Sequence, residues 1–260
     1  MTILFVFAVC FLASTIGGIC GIGGGVVIKP LLDTTGIMTV STLSFLSGLT
    51  VLAMACINVY KNRKGKELDA KRSIPLGIGA AVGGVLGKTM FSALKEAVNA
   101  DQTVGAVQSI VLGVMVLGTL LYVLNKQRIK TLDVGGSVMP VVIGLLLGIC
   151  SSFLGIGGGP MNLAVLYYFF SMDTKKAAVN SILIILLSQI ASLLMSIMTA
   201  SVPAFSWGML ISMVVAGALG GFLSAKLQKK MSAALTDKLF IGLLTAIFAI
   251  CIYNTVRMLG

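Results

Sequence analysis

Histidine is absent from the sequence, and only 10% of its 260 residues carry a charge. The commonest general base and metal ligand is therefore missing, which argues against acid-base catalysis and against a histidine-bound metal. The five cysteines lie within apolar blocks and form no CxxC pair, so we expect neither a disulfide framework nor a thiolate-bound metal. We predict that the protein is not an enzyme and uses no cofactor.

Hydrophobic residues make up 57% of the chain and give it a mean hydropathy of +1.06. A soluble domain could not cover that much apolar surface, so the composition predicts a multi-pass membrane protein whose partner is the lipid bilayer. The net charge of +11 comes from basic residues in short links between apolar blocks. Cytoplasmic loops of membrane proteins show this bias, and no basic and aromatic surface for nucleic acid is visible.

Carboxylates are also scarce inside the apolar blocks. Every Asp and Glu lies near the end of a block or in a link, as Asp33, Asp133 and Asp237 do. Because proton-transferring carboxylates in membrane proteins lie within the spans, the sequence does not predict a buried carboxylate relay.

Two identical glycine-rich pentapeptides, Gly-Ile-Gly-Gly-Gly, interrupt the apolar sequence at residues 21–25 and 155–159. Glycine is roughly 1 kcal/mol worse than alanine in a helix interior, so each cluster should open the helix that contains it. Lipid supplies no hydrogen bonds to the freed backbone groups, which are tolerated only against protein or around a water-filled cavity. The two breaks therefore predict a polar site inside the membrane.

The order of segments is the same in the two halves of the chain. We predict an all-α polytopic membrane protein with two inverted repeats, 1–130 and 131–260, each a glycine-tipped broken or re-entrant helical hairpin followed by three transmembrane helices. The predicted segments are a hairpin at 2–37 with spans at 42–60, 73–92 and 104–125, and a hairpin at 138–172 with spans at 177–200, 205–226 and 236–256.

The direction of the second repeat depends on whether the glycine-broken segments cross the membrane. If they crossed fully, the halves would be parallel and the lysines at 226–230 would face outward, against the usual charge bias. If each segment enters and leaves on one side, the halves are inverted and the basic links all face the cytoplasm. We therefore favour the inverted arrangement, which places both termini outside.

Each hairpin tip should bring the N-terminus of its second helix to the middle of the membrane, where free N–H groups and the helix dipole attract an anion. The predicted substrate-binding residues are Gly23, Gly24, Gly25, Gly157, Gly158, Gly159, Ser152, Asn162, Ser47, Asn180, Ser181 and Lys29. The structural alternative is that the glycines only permit a tight turn, that the polar side chains only join helices, and that Lys29 snorkels to the interface. Whether Cys20 or Cys150 contacts substrate stays open.

The segments Gly23-Gly-Gly-Val-Val-Ile-Lys-Pro-Leu-Leu32 and Gly155-Ile-Gly-Gly-Gly-Pro-Met-Asn-Leu163 resemble the sulfite exporter TauE/SafE family. The resemblance covers essentially the whole chain. It implies transport of sulfite, sulfonates or related small organosulfur or carboxylate anions across a bacterial or archaeal cytoplasmic membrane, generally outward. It does not distinguish among these anions.

The residues and the resemblance together favour a secondary transporter that binds a small anion and works by alternating access around a midplane site. A passive anion channel is the main alternative, and it would conduct without saturation. An intramembrane enzyme would need a nucleophile with a base, and an assembly subunit would transport nothing alone. The sequence leaves open the coupling ion and the choice between monomer and homodimer.

Overall fold

The computed structural model describes residues 2–98, 101–136, 138–154 and 159–259, and the regular structure within these ranges is helical. Five helices precede residue 131 and five follow it within the described ranges. In chain order they are α1 (Thr2–Cys20), α2 (Gly25–Asp33), α3 (Val40–Asn62), α4 (Ala70–Val98), α5 (Asp101–Asn125), α6 (Val138–Phe153), α7 (Pro160–Phe170), α8 (Thr174–Met198), α9 (Trp207–Lys230) and α10 (Ala233–Leu259).

Six helices of the described chain are long and apolar enough to cross a membrane, and they confirm the predicted all-α polytopic class. They are α1, α3, α8, α9 and parts of α5 and α10. α1 was predicted as a short arm of the first hairpin, but its 19 residues are enough for a whole span. α4 contains the predicted span 73–92, and Pro75, Lys88 and five glycines make it less hydrophobic than the other helices. α6 and α7 are shorter apolar helices, as expected for the two arms of a hairpin.

Local sequence explains where several helices begin. Thr39 and Asp173 are the N-caps of α3 and α8, and their side chains accept hydrogen bonds from the N–H groups of Thr42 at 3.3 Å and Lys176 at 3.0 Å. Pro160 begins α7, where its missing N–H is not needed for an intrahelical bond. These signals set the starts of three helices.

The first glycine cluster ends α1 and turns the chain back along it. Gly21 and Gly23 have φ values of +80° and +75°, which glycine adopts without strain. The N–H group of Gly23 donates to the carbonyl oxygen of Gly17 at 3.2 Å. Gly24 then packs beside Ser14, one turn further back along α1. The helix breaks here as predicted, and α6 and α7 are likewise separate helices on either side of the second cluster.

We expect Gly21→Ala to destabilise the protein much more than Gly36→Ala. Both glycines have positive φ, so alanine should cost about 1–2 kcal/mol of backbone strain at either position. At Gly21 the added Cβ would also lie 2.4 Å from the Cα of Ala178, whereas at Gly36 it would meet nothing within 4 Å. Thermal unfolding of the detergent-solubilised variants should show the lower midpoint for Gly21→Ala. Equal midpoints would contradict the tight packing of this tip.

α6 packs along α4 through glycines on both helices. A Cβ added at Gly79, Gly83 or Gly87 would lie between 2.0 and 2.3 Å from a carbonyl oxygen of α6, and one added at Gly144 or Gly148 would lie 2.1 Å from a carbonyl oxygen of α4. Small residues allow membrane helices to approach this closely. The contacting residue numbers rise together along the two helices, so α4 and α6 run in the same direction.

α9 makes the same kind of contact with α3 and α1. A Cβ at Gly217 or Gly221 would lie 2.4 or 2.5 Å from a carbonyl oxygen of α3, and one at Gly220 would lie 3.0 Å from the carbonyl oxygen of Phe11 in α1. Hydrogen bonds near both ends of α9 keep the same order along α1 and α3. The three helices therefore run in the same direction.

Polar contacts gather the links between helices at two ends of the bundle. At one end Arg72 bonds Asp133 at 2.9 Å and Lys126 bonds Asp237 at 2.7 Å, which joins the α5–α6 link to the starts of α4 and α10. At the other end the hydroxyl of Thr42 donates to the α8–α9 link at 3.1 Å. We call these the lysine-rich end and the opposite end.

Candidate functional site

A cavity of about 240 Å³ lies among α3, α4, α6, α8 and the α8–α9 link. Its lining contains eight serines, one glutamine, one lysine and no carboxylate. Polar cavities inside a membrane-spanning bundle commonly bind substrates or ions, so this cavity is the candidate site. The lining residues are Ser41, Ser44, Phe45, Gly48, Leu49, Leu52, Lys88, Ser151, Ser152, Ser188, Gln189, Ser192, Leu193, Ser196, Ser201 and Pro203.

The polar side of the cavity comes mainly from α8. Ser188, Ser192 and Ser196 recur every four residues, so they share one face of the helix and cover roughly 12 Å of its length. The hydroxyls of Ser188 and Ser196 donate to carbonyl oxygens of the preceding turn at 3.0 and 2.8 Å. This serine stripe begins near the middle of α8 and reaches the opposite end of the bundle.

Lys88 is the charged residue of the cavity lining. Its ammonium nitrogen donates a hydrogen bond to the hydroxyl of Ser196. Within the described part of the chain it forms no ion pair with a carboxylate. A cation without a counter-ion is costly inside a membrane helix, and an anionic ligand would offset that cost.

The second hairpin contributes Ser151 and Ser152 to the cavity wall. They lie in the last turn of α6, shortly before the second glycine cluster, and therefore bring this hairpin to the cavity. A Cβ added at Gly84 of α4 would lie 3.0 Å from the Oγ of Ser152. The missing side chain at Gly84 thus leaves room for the Ser152 hydroxyl.

The wall that α3 supplies contains the apolar residues Phe45, Leu49 and Leu52 together with Ser41, Ser44 and Gly48. Ser44 adds a hydroxyl whose oxygen is buried and has no hydrogen-bond partner among the described residues. Leaving a buried hydroxyl unpaired costs on the order of 1–3 kcal/mol. A ligand oxygen in the cavity would satisfy it.

This arrangement suits a small anion with a short apolar part. The ammonium and the hydroxyls can donate hydrogen bonds to an oxyanion, and no carboxylate of the lining repels it. The apolar α3 wall can contact the uncharged part of the same molecule. Among the described residues no group of three His, Cys, Asp or Glu could hold a metal ion.

Of the predicted site residues, Ser152 lines the cavity, whereas Gly23, Gly24 and Gly25 do not. These three glycines are buried at the start of α2. A Cβ added at Gly23 would lie 3.3 Å from the side chain of Ile185, which shows that this tip packs against apolar residues of α8. The structure gives the first tip the role of a tight turn, and its contact with substrate stays a prediction.

The second tip can be described only in part. Gly157 and Gly158 lie outside the described residues. Gly159 is buried and extended, with φ −161°, and it precedes the first residue of α7. Asn162 is 2% exposed in the first turn of α7 and is not part of the cavity lining. A substrate contact of these four residues also stays a prediction.

Lys29 does not snorkel to the interface, because it is only 4% exposed. Its ammonium nitrogen donates to the Oε1 of Gln108 at 2.9 Å and to the carbonyl oxygen of Leu154 at 2.8 Å. Leu154 directly precedes the second glycine cluster. Lys29 therefore joins the first hairpin to the second, away from the serine-lined cavity.

The other three predicted residues lie outside the cavity lining. Asn180 holds the α3–α4 link, since its Oδ1 accepts hydrogen bonds from the N–H of Asp69 at 2.8 Å and from the hydroxyl of Ser73 at 2.6 Å. Ser47 donates to a carbonyl oxygen of its own helix at 3.1 Å. The Oγ of Ser181 is buried and has no partner among the described residues. Asn180 and Ser47 thus form hydrogen bonds within the protein, as expected if such polar side chains only hold helices and links together.

Sequence reasoning missed Lys88, Ser192 and Ser196. Lys88 lies four residues from the end of the predicted span 73–92, where a lysine is normally expected to snorkel toward the headgroups. The four-residue recurrence of serines in α8 is a visible signal of a polar helix face. It does not indicate which helices that face will meet.

Comparison with known proteins gives consistent matches. Residues 6–250 match the protein family described as Sulfite exporter TauE/SafE. A probable membrane transporter protein of Methanocaldococcus jannaschii is 25% identical over 202 residues, which cover 75% of this chain and 72% of the relative. The probable membrane transporter protein YunE of Bacillus subtilis is 23% identical over 254 residues, which cover 89% and 90% respectively. No solved structure matches the chain.

Proposed function

Because the chain belongs to the sulfite exporter TauE/SafE family of membrane transporters, we propose that it is a secondary transporter that exports a small anion by alternating access. The expected substrates are sulfite, a sulfonate or a related organosulfur or carboxylate compound. The observation that carries the proposal is the serine-lined cavity, which combines Lys88 with eight hydroxyls and has no carboxylate.

The size and chemistry of the cavity support a substrate of this class. At about 30 Å³ per water, a volume of about 240 Å³ corresponds to roughly eight waters, which leaves room for a two-carbon sulfonate. Hydrogen bonds to charged groups contribute roughly 1.5–3 kcal/mol each. Two or three of them give the moderate, reversible binding that transport requires.

We also propose that the two halves of the chain are inverted repeats. The packing of α6 along α4 corresponds to the packing of α1 along α9, because α4 and α9 are the fourth helices of their halves. α9 runs in the same direction as α3. α4 follows α3 after a short link and runs in the opposite direction. Such an arrangement supports two hairpins that enter from opposite ends, as in other transporters with broken helices.

The inverted arrangement predicts that single cysteines in two links react from different sides of the membrane. Lysine-rich links face the cytoplasm, so Lys64→Cys should be protected from an impermeant thiol reagent added to intact cells, whereas Val202→Cys in the α8–α9 link should react. Tags at residues 1 and 260 should also report from outside. The parallel arrangement predicts that Val202→Cys is protected, so this variant decides between the two.

Flux measurements in proteoliposomes test the proposed function. The panel is sulfite, thiosulfate, 2-hydroxyethanesulfonate and the carboxylate acetate, each measured against protein-free liposomes. We expect at least one anion to be transported at a rate that saturates with concentration. A rate that rises linearly without saturation would indicate the channel alternative. The absence of flux for the whole panel would reject the proposal.

A further inference from the structure

Four buried polar side chains form a hydrogen-bonded network between α3 and α9. The amide nitrogen of Asn58 donates to the hydroxyl of Ser224 at 2.9 Å, and that of Asn62 donates to the Oδ1 of Asn58 at 2.9 Å and to the Oε1 of Gln228 at 3.1 Å. Gln228 reaches α1, where it donates to the carbonyl oxygen of Ile19 at 3.4 Å. We call these four side chains the amide network.

The amide network is well sealed although it lies close to the end of the bundle. Its members are at most 5% exposed. The neighbouring contact between the ammonium of Lys229 and the carbonyl oxygen of Lys61, at 2.9 Å, belongs to the lysine-rich end. The serine-lined cavity involves α8, α4 and α6, which hold the same places in the two halves as α3, α9 and α1. It lies toward the opposite end of the bundle.

The repeat places the amide network and the cavity in corresponding positions. The spacing between the two glycine pentapeptides relates Asn58 to Ser192 and Asn62 to Ser196. A Gly-Gly pair recurs in α4 and α9 at a slightly longer spacing, which relates Lys88 to Ala225. Two members of the network are therefore the counterparts of two serines in the cavity wall.

Contacts between helices agree with these spacings. A Cβ added at Gly83 would lie 2.0 Å from the carbonyl oxygen of Leu145, and one added at Gly220 would lie 3.0 Å from the carbonyl oxygen of Phe11. Gly83 and Gly220 correspond by the spacing of the Gly-Gly pairs. Phe11 and Leu145 correspond by the spacing of the pentapeptides. The two spacings thus relate a packing contact between α4 and α6 to a packing contact between α9 and α1.

The corresponding places differ in one respect: one is open and the other is closed. Where α8 faces α4, short serine side chains leave a cavity of about 240 Å³. Where α3 faces α9, longer asparagine and glutamine side chains bridge α3, α9 and α1 and bond one another. The polar path is therefore open toward the opposite end of the bundle and closed toward the lysine-rich end.

We propose that the amide network is the inner half of the substrate pathway, closed in this structure, and that it receives the same small anion when it opens. This inference rests on the proposed function. Amide N–H groups can donate to an oxyanion as they now donate to one another, so opening exchanges one set of hydrogen bonds for another.

Cysteine labelling of the reconstituted protein tests the proposal without a known ligand. Ser192→Cys reports on the cavity and Ser224→Cys on the amide network. The signal is the amount of thiol labelling in excess of that of the parent chain, which has five cysteines of its own. Both reporters are combined with Asn62→Ala and Gln228→Ala, which remove the closing side chains. An impermeant thiol reagent is added from the opposite end for the first reporter and from the lysine-rich end for the second.

We expect the two alanine substitutions to speed the labelling of Ser224→Cys at least about tenfold and to slow that of Ser192→Cys at least about tenfold. The reciprocal change follows because opening of one half closes the other. Ala216→Cys is the matched control, since Ala216 is buried on α9 outside the network and should stay unlabelled.

Two results would overturn the proposal. Faster labelling of Ser224→Cys with unchanged labelling of Ser192→Cys would mean that the substitutions only loosen the helices locally. Unchanged labelling of both reporters would mean that the network does not open. If the double alanine variant is not monodisperse, Asn62→Ser shortens the closing side chain more gently and is judged by the same outcomes. If the parent chain transports an anion but the labelling of both reporters is unchanged, only the proposed role of the amide network is rejected. If the parent chain transports no anion of the panel, the proposed function is rejected.

Discussion

Replacement of Lys88 by glutamine is expected to raise the KM for the transported anion at least about 10-fold. The ammonium is the positive charge of the cavity lining, and a hydrogen bond to a charged group contributes roughly 1.5–3 kcal/mol. Each 1.4 kcal/mol corresponds to about a factor of ten in affinity, so 10-fold is the lower end of the expected effect. Saturable flux in proteoliposomes gives the KM, and the anion-induced rise in melting temperature gives an independent measure of binding.

Two further variants make the Lys88 result specific. Lys88→Arg keeps the charge and should retain part of the transport, although the larger guanidinium occupies more of the cavity. Lys130→Gln removes an exposed lysine from the α5–α6 link and should leave the KM unchanged. An unchanged KM for Lys88→Gln would show that the serine-lined cavity is not the substrate site.

Gly83→Val is expected to prevent accumulation of the folded protein. The first atom of the new side chain would lie 2.0 Å from the carbonyl oxygen of Leu145, so α4 and α6 would have to separate. Overpacking of this kind typically costs about 1–3 kcal/mol in a soluble core, and more where backbone rather than a side chain must move. Size-exclusion chromatography of the solubilised membranes should show loss of the monodisperse peak.

Gly118→Val is the matched control for this prediction. Gly118 also lies in an apolar helix, but a Cβ there would meet nothing within 4 Å. Valine should therefore be tolerated, because the position has room for it and valine has a higher helix propensity than glycine. If both valine variants give the parent peak and melting temperature, the close contact between α4 and α6 is not required for the fold.

The helices and the position of the first break could be predicted because they depend on local sequence. Continuous apolar blocks determine the spans, and the glycines of the first cluster adopt positive φ where the chain turns. α4 contains the predicted span 73–92, and its small residues serve contact with α6 rather than contact with lipid. Its hydropathy is correspondingly lower, although its length is sufficient for a span.

The cavity could not be predicted, because it is created by helices that are distant in sequence. Lys88 and Ser196 are 108 residues apart, and nothing near either residue indicates that they meet. Lys29 shows the converse: its position in a hairpin suggested a substrate contact, yet its partners are Gln108 and the carbonyl oxygen of Leu154. Polar residues in spans become interpretable only when the facing helix is known.

The packing of α1 against α9 has a consequence for the order of events during synthesis. The chain is made from its N-terminus, yet Gly18 of α1 packs against Ser224 of α9, about two hundred residues later. At translation rates of about 5–20 residues per second, α1 waits roughly 10–40 s for its partner to emerge. During that time the first glycine turn has neither α8 nor α9 to cover it. The first hairpin therefore gains its contacts with α8 and α9 only after most of the second half has been made.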